Sequence, residues 1–494
     1  MQTFDLRDFE SSFTTNGFEK LSRSNARIMK GSNLVLITPA AERAGPTNIY
    51  EAWLNEFESY SEAMNPDLLE LEREQMSKFT PRSIAKPGSQ LIPGVYDSFE
   101  PVKINTSGLR PFSNPNANLR PRSIEHSAQA TRSNTQAGCP TLEKKGLERE
   151  NTVRHFASLY SQNLTQICAI RTQEDGKTRI VYIYPYVDII QENRYFLPLF
   201  SVLREQTEFS AFKGPDAVDL AVTKLLLKAK DNPSMVCVSG DVSGFDDSVK
   251  KQLQESGFAE IKSYFQANYI DELDEIALRF GTKPLVLPNE QVLVGWHGIP
   301  SGSNFTGILG SVVNRQVLNS TPDDCQVMGD DFVVITDNPD EIFARYEQKK
   351  LNIHPTKTKI KPSSFVYLQR LHSLDLTVDG LAKGVYPTFR ALTRLVYPER
   401  RSDFDDYGLK GRDYFAIRSL TILENCKNHP LFEKFVKFWL SYEKYVLPSK
   451  SSIPTYVRMM ETKSVALGTT NQYGDAVEGI QNFESFKIAR GLVG

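Results

Sequence analysis

Cys325-Gln-Val-Met-Gly-Asp-Asp-Phe-Val-Val-Ile335 places two carboxylates between two short apolar runs. Val327 and Met328 read as one short strand and Phe332 to Ile335 as the next, which leaves Gly329, Asp330 and Asp331 for the turn. Burial pushes charge out of strands, so adjacent aspartates at a tight turn between hydrophobic runs need a reason. A glycine permits the turn, and the flanking strands would hold both carboxylates rigidly at a sheet edge. Such a pair suits a hard divalent cation. An acidic hairpin tip facing water is the plain alternative, and this stretch alone does not choose between them.

The rest of the chain has the composition of a soluble globular protein. At 494 residues it exceeds one ordinary core, so roughly two to four subdomains are expected. The 29 Phe and 20 Tyr argue against global disorder. A net charge of −2 gives no overall basic bias, although a charged channel needs only a local one. Cys139, Cys168, Cys237, Cys325 and Cys426 are scattered, with no Cys-x-x-Cys pair, so neither a disulfide framework nor a zinc site is indicated. Cys237 and Cys325 lie in apolar runs and read as small buried hydrophobes, which fits a reducing compartment. The first ten residues contain no apolar signal-peptide core, and no run approaches the length of a membrane span. The expectation is a soluble intracellular chain.

Outward from the hairpin, Tyr50 to Lys78 reads as an amphipathic helix with Trp53, Leu54, Phe57, Leu68, Leu69 and Leu71 on its apolar face. Thr80 to Pro140 is rich in Pro, Ser, Asn and Arg and reads as loop. Its seven basic residues against Asp97, Glu100 and Glu125 point to contact with a polyanion, or else to a solvated linker. Arg179 to Tyr186 alternates as a strand, Ala217 to Lys230 reads as helix, and Met235 to Val238 as a strand ending at Asp241. Ser248 to Tyr269 reads as helix, Leu285 to Trp296 as a hairpin, and Gly307 to Leu318 as a helix rich in small residues. After Tyr386 the pattern is mostly helical, with Trp439 and many Phe as core.

Two further segments carry chemistry. In Ser239-Gly-Asp-Val-Ser-Gly-Phe-Asp-Asp-Ser248 a strand delivers Asp241 at its end, and the chain turns through Ser243 and Gly244 to bring Asp246 to a helix start. Asp241 can bind metal while Asp246 does a separate job. Capping would explain Asp247 or Ser248, but not an aspartate ending a buried strand. In Gly298-Ile-Pro-Ser-Gly-Ser-Asn-Phe-Thr-Gly-Ile-Leu-Gly-Ser-Val-Val-Asn314 a Gly/Pro/Ser loop runs into a helix and presents N–H groups and hydroxyls. That suits phosphate or sugar, and no Lys-Ser/Thr follows to make it a Walker motif.

In this order, Asp-x4-Asp, Ser-Gly-x3-Thr opening a helix, and Gly-Asp-Asp in a hairpin resemble motifs A, B and C of viral RNA-dependent RNA polymerases. Arg171 and Lys177-Thr-Arg179 look like motif F, His354-Pro-Thr-Lys357 like motif D, and Tyr367-Leu-Gln-Arg370 like motif E. Thr106-Ser-Gly-Leu-Arg-Pro111 is a candidate motif G with Thr106, Ser107 and Arg110 toward RNA. The similarity covers roughly residues 100 to 400. The form of motif B looks most like small double-stranded RNA viruses of the partitivirus and picobirnavirus kind.

The resemblance implies an α+β right-hand polymerase whose antiparallel palm sheet is flanked by helices. Its divisions would be an N-terminal extension over 1–78, fingers over 79–185, a palm over 186–370 with a fingers insertion around 250–295, and a helical thumb with C-terminal segment over 371–494. It implies a primer 3′-hydroxyl attacking an α-phosphate with two divalent ions at the site, Mg²⁺ or Mn²⁺, held by Asp241, Asp330 and, more weakly, Asp331. Arg171, Lys177 and Arg179 would hold the triphosphate, and Lys357 would be a candidate general acid for pyrophosphate. Lys359 and Lys361 lie close enough that Lys357 also reads as one of a basic loop.

Asp246 would accept from the ribose 2′-hydroxyl, which disfavours a reverse transcriptase. Where many relatives carry an Asn four residues after the motif B Thr, this chain has Gly310, with Asn314 a turn further; either Asn314 would bind the nucleotide from there, or Asp246 with Thr306 would carry the selection. Ser301 and Gly302 would flank the templating base, and Arg370 would grip the nascent strand or form an ion pair. Leu467 to Gly474 reads as a loop entering the cavity or as a surface turn. The implied partners are RNA template and product, ribonucleoside triphosphates and a viral capsid protein. The chain would act as a monomer, with no membrane, in the host cytoplasm or the virion interior. A different palm polymerase, or a non-catalytic RNA-binding virion protein, would be the rival readings.

Overall fold

The computed structural model describes residues 1–109, 111, 117–400, 409–454 and 477–493, so Arg110 and the 467–474 segment lie outside the described residues. In chain order its strands are β1 (Gln2–Asp5), β2 (Gln166–Thr172), β3 (Thr178–Ile183), β4 (Val236–Gly240), β5 (Val242–Ser243), β6 (Leu285–Val286) and β7 (Gln291–Val294). They continue with β8 (Cys325–Met328), β9 (Asp331–Thr336), β10 (Asn352–Ile353), β11 (Lys359–Lys361), β12 (Ser364–Tyr367) and β13 (Arg370–Ser373).

The sheet that positions the site is antiparallel, in the order β11-β4-β9-β8. Successive side chains on a strand point to opposite faces, and β9 is apolar on both, so its residues divide between two cores. Phe332 and Val334 enter the larger core with Val238, Leu309 and Val313; Val333 and Ile335 enter a second with Cys237, Val222 and Leu226. Helices therefore cover both faces: Phe305–Leu318 on one side and Pro215–Asp231 on the other. Cys237 and Cys325 are small buried hydrophobes here, as expected, and all five cysteines are buried and free.

A second sheet, β1-β7-β6-β2-β3, joins the first strand of the chain to the β2–β3 hairpin. The N-terminal region also packs on the C-terminal helices. Ile49, Trp53 and Phe57 share a core with Phe389, Leu392 and Trp439 of the C-terminal helices. No helix among the described residues is long and apolar enough to cross a membrane.

Local expectations needed four adjustments. The single helix over 50–78 is two, Pro46–Ser61 and Pro66–Met76, because Pro66 cannot continue a helix and Asn65 caps the second one through Asp67 and Leu68 N–H groups. The strand expected to reach Tyr186 stops at Ile183, since Pro185 precedes the helix Tyr186–Leu203. The helix expected over 248–269 runs only from Lys251 to Lys262. The loop-rich stretch contains a helix, Gly88–Phe99, despite Pro93; burial of Ile92, Val95 and Phe99 against Tyr182 and Leu285 outweighs poor propensity.

Candidate active site

β4 and β9 pair antiparallel with Gly240 opposite Phe332, so Asp241 emerges one residue later at the edge where β9 begins with Asp331. Asp330 fills the turn between β8 and β9 beside Gly329, whose φ of 62° lies in the region where only glycine is unstrained. The three carboxylates thus meet at one sheet edge. β10 fixes the first of them: it pairs with β5, and the His354 N–H donates to the Asp241 carbonyl at 2.8 Å. His354 is in this sense structural.

The electrostatics confirm the crowding. Asp331 is pushed up to about 7 by desolvation and then by Asp330 and Asp241. Asp330 is raised by burial, with Asp241 adding to it. Asp246 is also raised to about 7, by desolvation and then by Asp330 and Asp247, against the pull of Arg179. Asp246 and Asp330 are nonetheless open to water.

Cations oppose this charge. Lys357 Nζ donates to Asp241 Oδ2 at 2.8 Å. Lys359 and Lys361 instead bond Glu70 on the helix Pro66–Met76, at 2.6 Å and 2.8 Å, so of the three lysines Lys357 faces the carboxylates. Lys177 feels both Asp241 and Asp330 although desolvation, Arg179 and Lys357 lower it. Arg171 lies opposite Arg179 across the β2–β3 hairpin, and its guanidinium sits 3.4 Å from Glu399.

Among the described residues no three Asp, Glu, His or Cys side chains close into a ready metal cage. The carboxylates at this edge are all-oxygen donors crowded into mutual repulsion, a set suited to a hard divalent ion whose remaining positions substrate phosphates complete.

The Ser-Gly loop lies against β3. Ser301 Oγ accepts from the Tyr182 N–H at 2.8 Å, and a Cβ on Gly302 would lie 2.2 Å from the Tyr182 carbonyl oxygen, so only glycine fits there. Thr306 donates its hydroxyl to the Pro300 and Ser303 carbonyls, at 2.6 Å and 2.8 Å. Asn314 is 0 % exposed and does not reach solvent. Its amide donates to the Gly329 carbonyl at 2.8 Å, while Ser311 Oγ accepts from the Gly329 N–H at 2.8 Å. Gly310 faces the Phe245 ring and Gly329.

The remaining expected residues lie at the margins. Thr106 and Ser107 sit on a loop whose Asn105 and Ser107 carbonyls accept from Lys349 Nζ, each at 2.7 Å. Arg370 bonds Asn425 at 3.0 Å and stacks over Tyr386, at the junction with the C-terminal helices.

Sequence reasoning missed Ser311, Lys349 and Glu192. The last is a buried carboxylate that receives Ser303 Oγ at 2.7 Å and Asn304 N–H at 2.8 Å. A signal existed for it: Asp188 and Glu192 are acidic residues one turn apart in a helix rich in large apolar residues.

Carboxylates from two neighbouring strands of a helix-flanked antiparallel sheet, with Lys177 and Arg179 of a separate hairpin acting on them, define a palm-type nucleotide polymerase. A family model described as viral RNA-dependent RNA polymerase matches residues 121–397, more than half of the chain. The chain belongs to that family and is an RNA-directed RNA polymerase. A protein named "Potential RNA-dependent RNA polymerase" from Human picobirnavirus (strain Human/Thailand/Hy005102/-) is 26% identical over 461 residues, 85% of this chain and 84% of that protein. The RNA-directed RNA polymerase of Cryptosporidium parvum virus 1 (strain KSU-1) is 29% identical over 150 residues, 30% of this chain and 28% of that one. In fold the chain is similar to the crystal structure of the RNA-dependent RNA polymerase of a human picobirnavirus. That similarity has a TM-score of 0.81 at 23% identity, over 98% of this chain and 99% of that one. An insertion-loop deletion mutant of a human picobirnavirus polymerase matches at a TM-score of 0.78.

Proposed function

We propose that Asp241, Asp330 and Asp331 are the catalytic centre of templated ribonucleotide transfer, serving viral genome replication and transcription. The observation that carries this is the strand register that brings Asp241 to the Asp330–Asp331 turn. The three carboxylates would hold Mg²⁺, or Mn²⁺. When bound, such ions activate the attacking 3′-hydroxyl and offset charge on the departing pyrophosphate.

The chain's own groups divide the remaining work. Lys177 and Arg179 bind the triphosphate, with Arg171 contributing from the facing strand. Lys357, already against Asp241, donates a proton to the leaving pyrophosphate. Asp246 accepts from the ribose 2′-hydroxyl. Thr306 braces the loop beneath it, and Ser301 and Gly302 flank the templating base. Asn314 supports Gly329 instead of meeting the ribose, because both ends of its amide are engaged beneath the turn. Thr106, Ser107 and Arg370 contact RNA, and Arg110 joins them on the sequence pattern alone. The divisions at 78, 185 and 370 stand with this reading, as does a monomer working in the host cytoplasm or virion beside capsid protein.

The test is extension of a primed RNA template with Mg²⁺ or Mn²⁺. Wild type should incorporate ribonucleotides over deoxynucleotides, while Asp241→Ala and Asp330→Asn should bind RNA and make none. Synthesis by Asp330→Asn at the wild-type rate would overturn the assignment.

A further inference from the structure

Glu192 lies on the helix Tyr186–Leu203, remote in sequence from all three carboxylates of the turn, and is 2 % exposed. Oε1 accepts from Ser303 Oγ at 2.7 Å and Oε2 from the Asn304 N–H at 2.8 Å. Ser303 Oγ in turn accepts from the Phe305 N–H at 3.0 Å. The helix Phe305–Leu318 begins at this point, and its N-cap residue Asn304 makes no side-chain cap of its own. The Asn304 amide donates instead to Asn193 Oδ1 at 2.8 Å and to the Ile189 carbonyl at 3.1 Å. A carboxyl group from another helix therefore takes the free N–H at this helix start. Burying a carboxylate is costly, and the ammonium of Lys283 is engaged by Asp188 at 3.0 Å.

The same helix holds the catalytic turn at its other functional point. Ser311 and Asn314 take the N–H and the carbonyl of Gly329, both at 2.8 Å. A helix rises about 1.5 Å per residue, so cap and clamp are roughly 10–15 Å apart on one stiff rod. Displacement at Ser303 is thus transmitted to Gly329 and the carboxylates after it.

We propose that Glu192 is a positioning residue for nucleotidyl transfer, fixing the start of the Phe305–Leu318 helix and through it the Gly329–Asp331 turn. This rests on the assignment of Asp330 given above.

The experiment is single-nucleotide incorporation on a primed RNA template by wild type, Glu192→Ala, Glu192→Gln and Ser303→Ala, with Asp330→Asn alongside and a thermal melt of each. A small displacement of reacting groups should lower kcat of Glu192→Ala by about 10- to 100-fold, with nucleotide KM changed by less than about threefold. The Gln amide can still accept from Asn304 and can donate to Ser303, so Glu192→Gln should recover to within about fivefold of wild type. Wild-type kcat in Glu192→Ala, no recovery in Glu192→Gln, or a loss confined to KM each overturns the proposal. If Glu192→Ala does not melt cooperatively, Ser303→Ala decides by the same kcat criterion. Inactive Asp330→Asn beside an unimpaired Glu192→Ala removes this proposal alone, whereas active Asp330→Asn removes the catalytic assignment beneath it.

Discussion

The side-chain amide of Asn314 donates to the Gly329 carbonyl at 2.8 Å, and its Oδ1 accepts the Tyr346 hydroxyl. Gly329 has a left-handed φ of 62° and carries Asp330 and Asp331 directly after it, so what holds its two peptide groups holds the turn. Ser311 takes the N–H side at 2.8 Å. Asn314→Ala leaves a carbonyl and a tyrosine hydroxyl unpartnered in a buried place, which should cost about 1–3 kcal/mol. The expected result is a lower Tm together with a fall in kcat that persists at temperatures where the variant is fully folded. Ser311→Ala combined with it should show non-additive losses in a double-mutant cycle, since both act on one peptide unit.

Glu70 and Glu72 lie two residues apart on the helix Pro66–Met76 and should behave in opposite ways. Glu70 bonds Lys359 at 2.6 Å and Lys361 at 2.8 Å at a water-accessible surface. Exposed pairs of this kind contribute about 0–1 kcal/mol and weaken with salt. Glu72 is 0 % exposed. It accepts from the Thr388 N–H at 2.6 Å, the Thr388 hydroxyl at 2.7 Å and the Phe389 N–H at 3.0 Å, with His429 at 3.1 Å. It caps the helix Thr388–Val396 across the molecule, so Glu72→Ala should cost about 3–5 kcal/mol. Chemical denaturation of both variants at low and high salt checks the contrast: the Glu70→Ala deficit should shrink with salt and the larger Glu72→Ala deficit should persist.

The carboxylate cluster was legible in the sequence because charge at the end of an apolar strand violates a strong burial preference. Asp241 and the Asp330–Asp331 pair both do so, and the hairpin around the pair formed within a residue or two of expectation. Contacts between distant elements left no comparable mark. Asn314 has the look of a ribose ligand until the helix is seated, when its face proves to turn toward Gly329. The helix Gly88–Phe99 was hidden because Pro93 and the glycines describe local preference, whereas Ile92, Val95 and Phe99 are stabilised by partners far along the chain. Likewise Lys357, Lys359 and Lys361 are alike by type, and only the docking of the N-terminal helix separates them.

Glu192 gives stability a pH dependence of definite sign. Desolvation raises its pKa from 4.5 to about 8, with Asp188 adding and the Ser303 and Asn304 hydrogen bonds and Lys283 opposing. The charged and titratable groups around it are Asp188 on its own helix, Lys283, Tyr184, Tyr160 and Lys145. Between those two pH values the folded chain keeps a proton that the unfolded chain has released. Its stabilising contribution is therefore full below 4.5 and lost as pH rises through about 8. His297 and His372, pushed down to about 4 by burial, act oppositely and lose stability as pH falls below 6.5. Subtracting the Glu192→Gln melting curve from that of wild type cancels the histidines. The difference should show wild type declining relative to the variant from about pH 5 to pH 8. A flat difference would remove the raised carboxylate from the account.

Lys349 offers a way to separate RNA contact from chemistry. It follows the helix Pro339–Gln348 and is 6 % exposed, and its ammonium donates to the Asn105 and Ser107 carbonyls at 2.7 Å each. Ser107 N–H closes the same loop onto Asn105 Oδ1 at 2.8 Å. A lysine buried on backbone carbonyls fixes a loop's path without offering its charge to a ligand. Lys349→Met keeps the length of the side chain and removes both bonds, leaving two carbonyls to find water. If Thr106 and Ser107 meet the template, the variant should bind a primed RNA roughly tenfold more weakly, a loss of about 1.4 kcal/mol, while nucleotide KM and kcat at saturating RNA stay near wild type. Binding measured by fluorescence anisotropy, with steady-state incorporation on the same substrate, checks both halves. Unchanged RNA affinity would detach the 105–107 loop from the template path, and a fall in kcat at saturating RNA would give Lys349 a part in the chemistry.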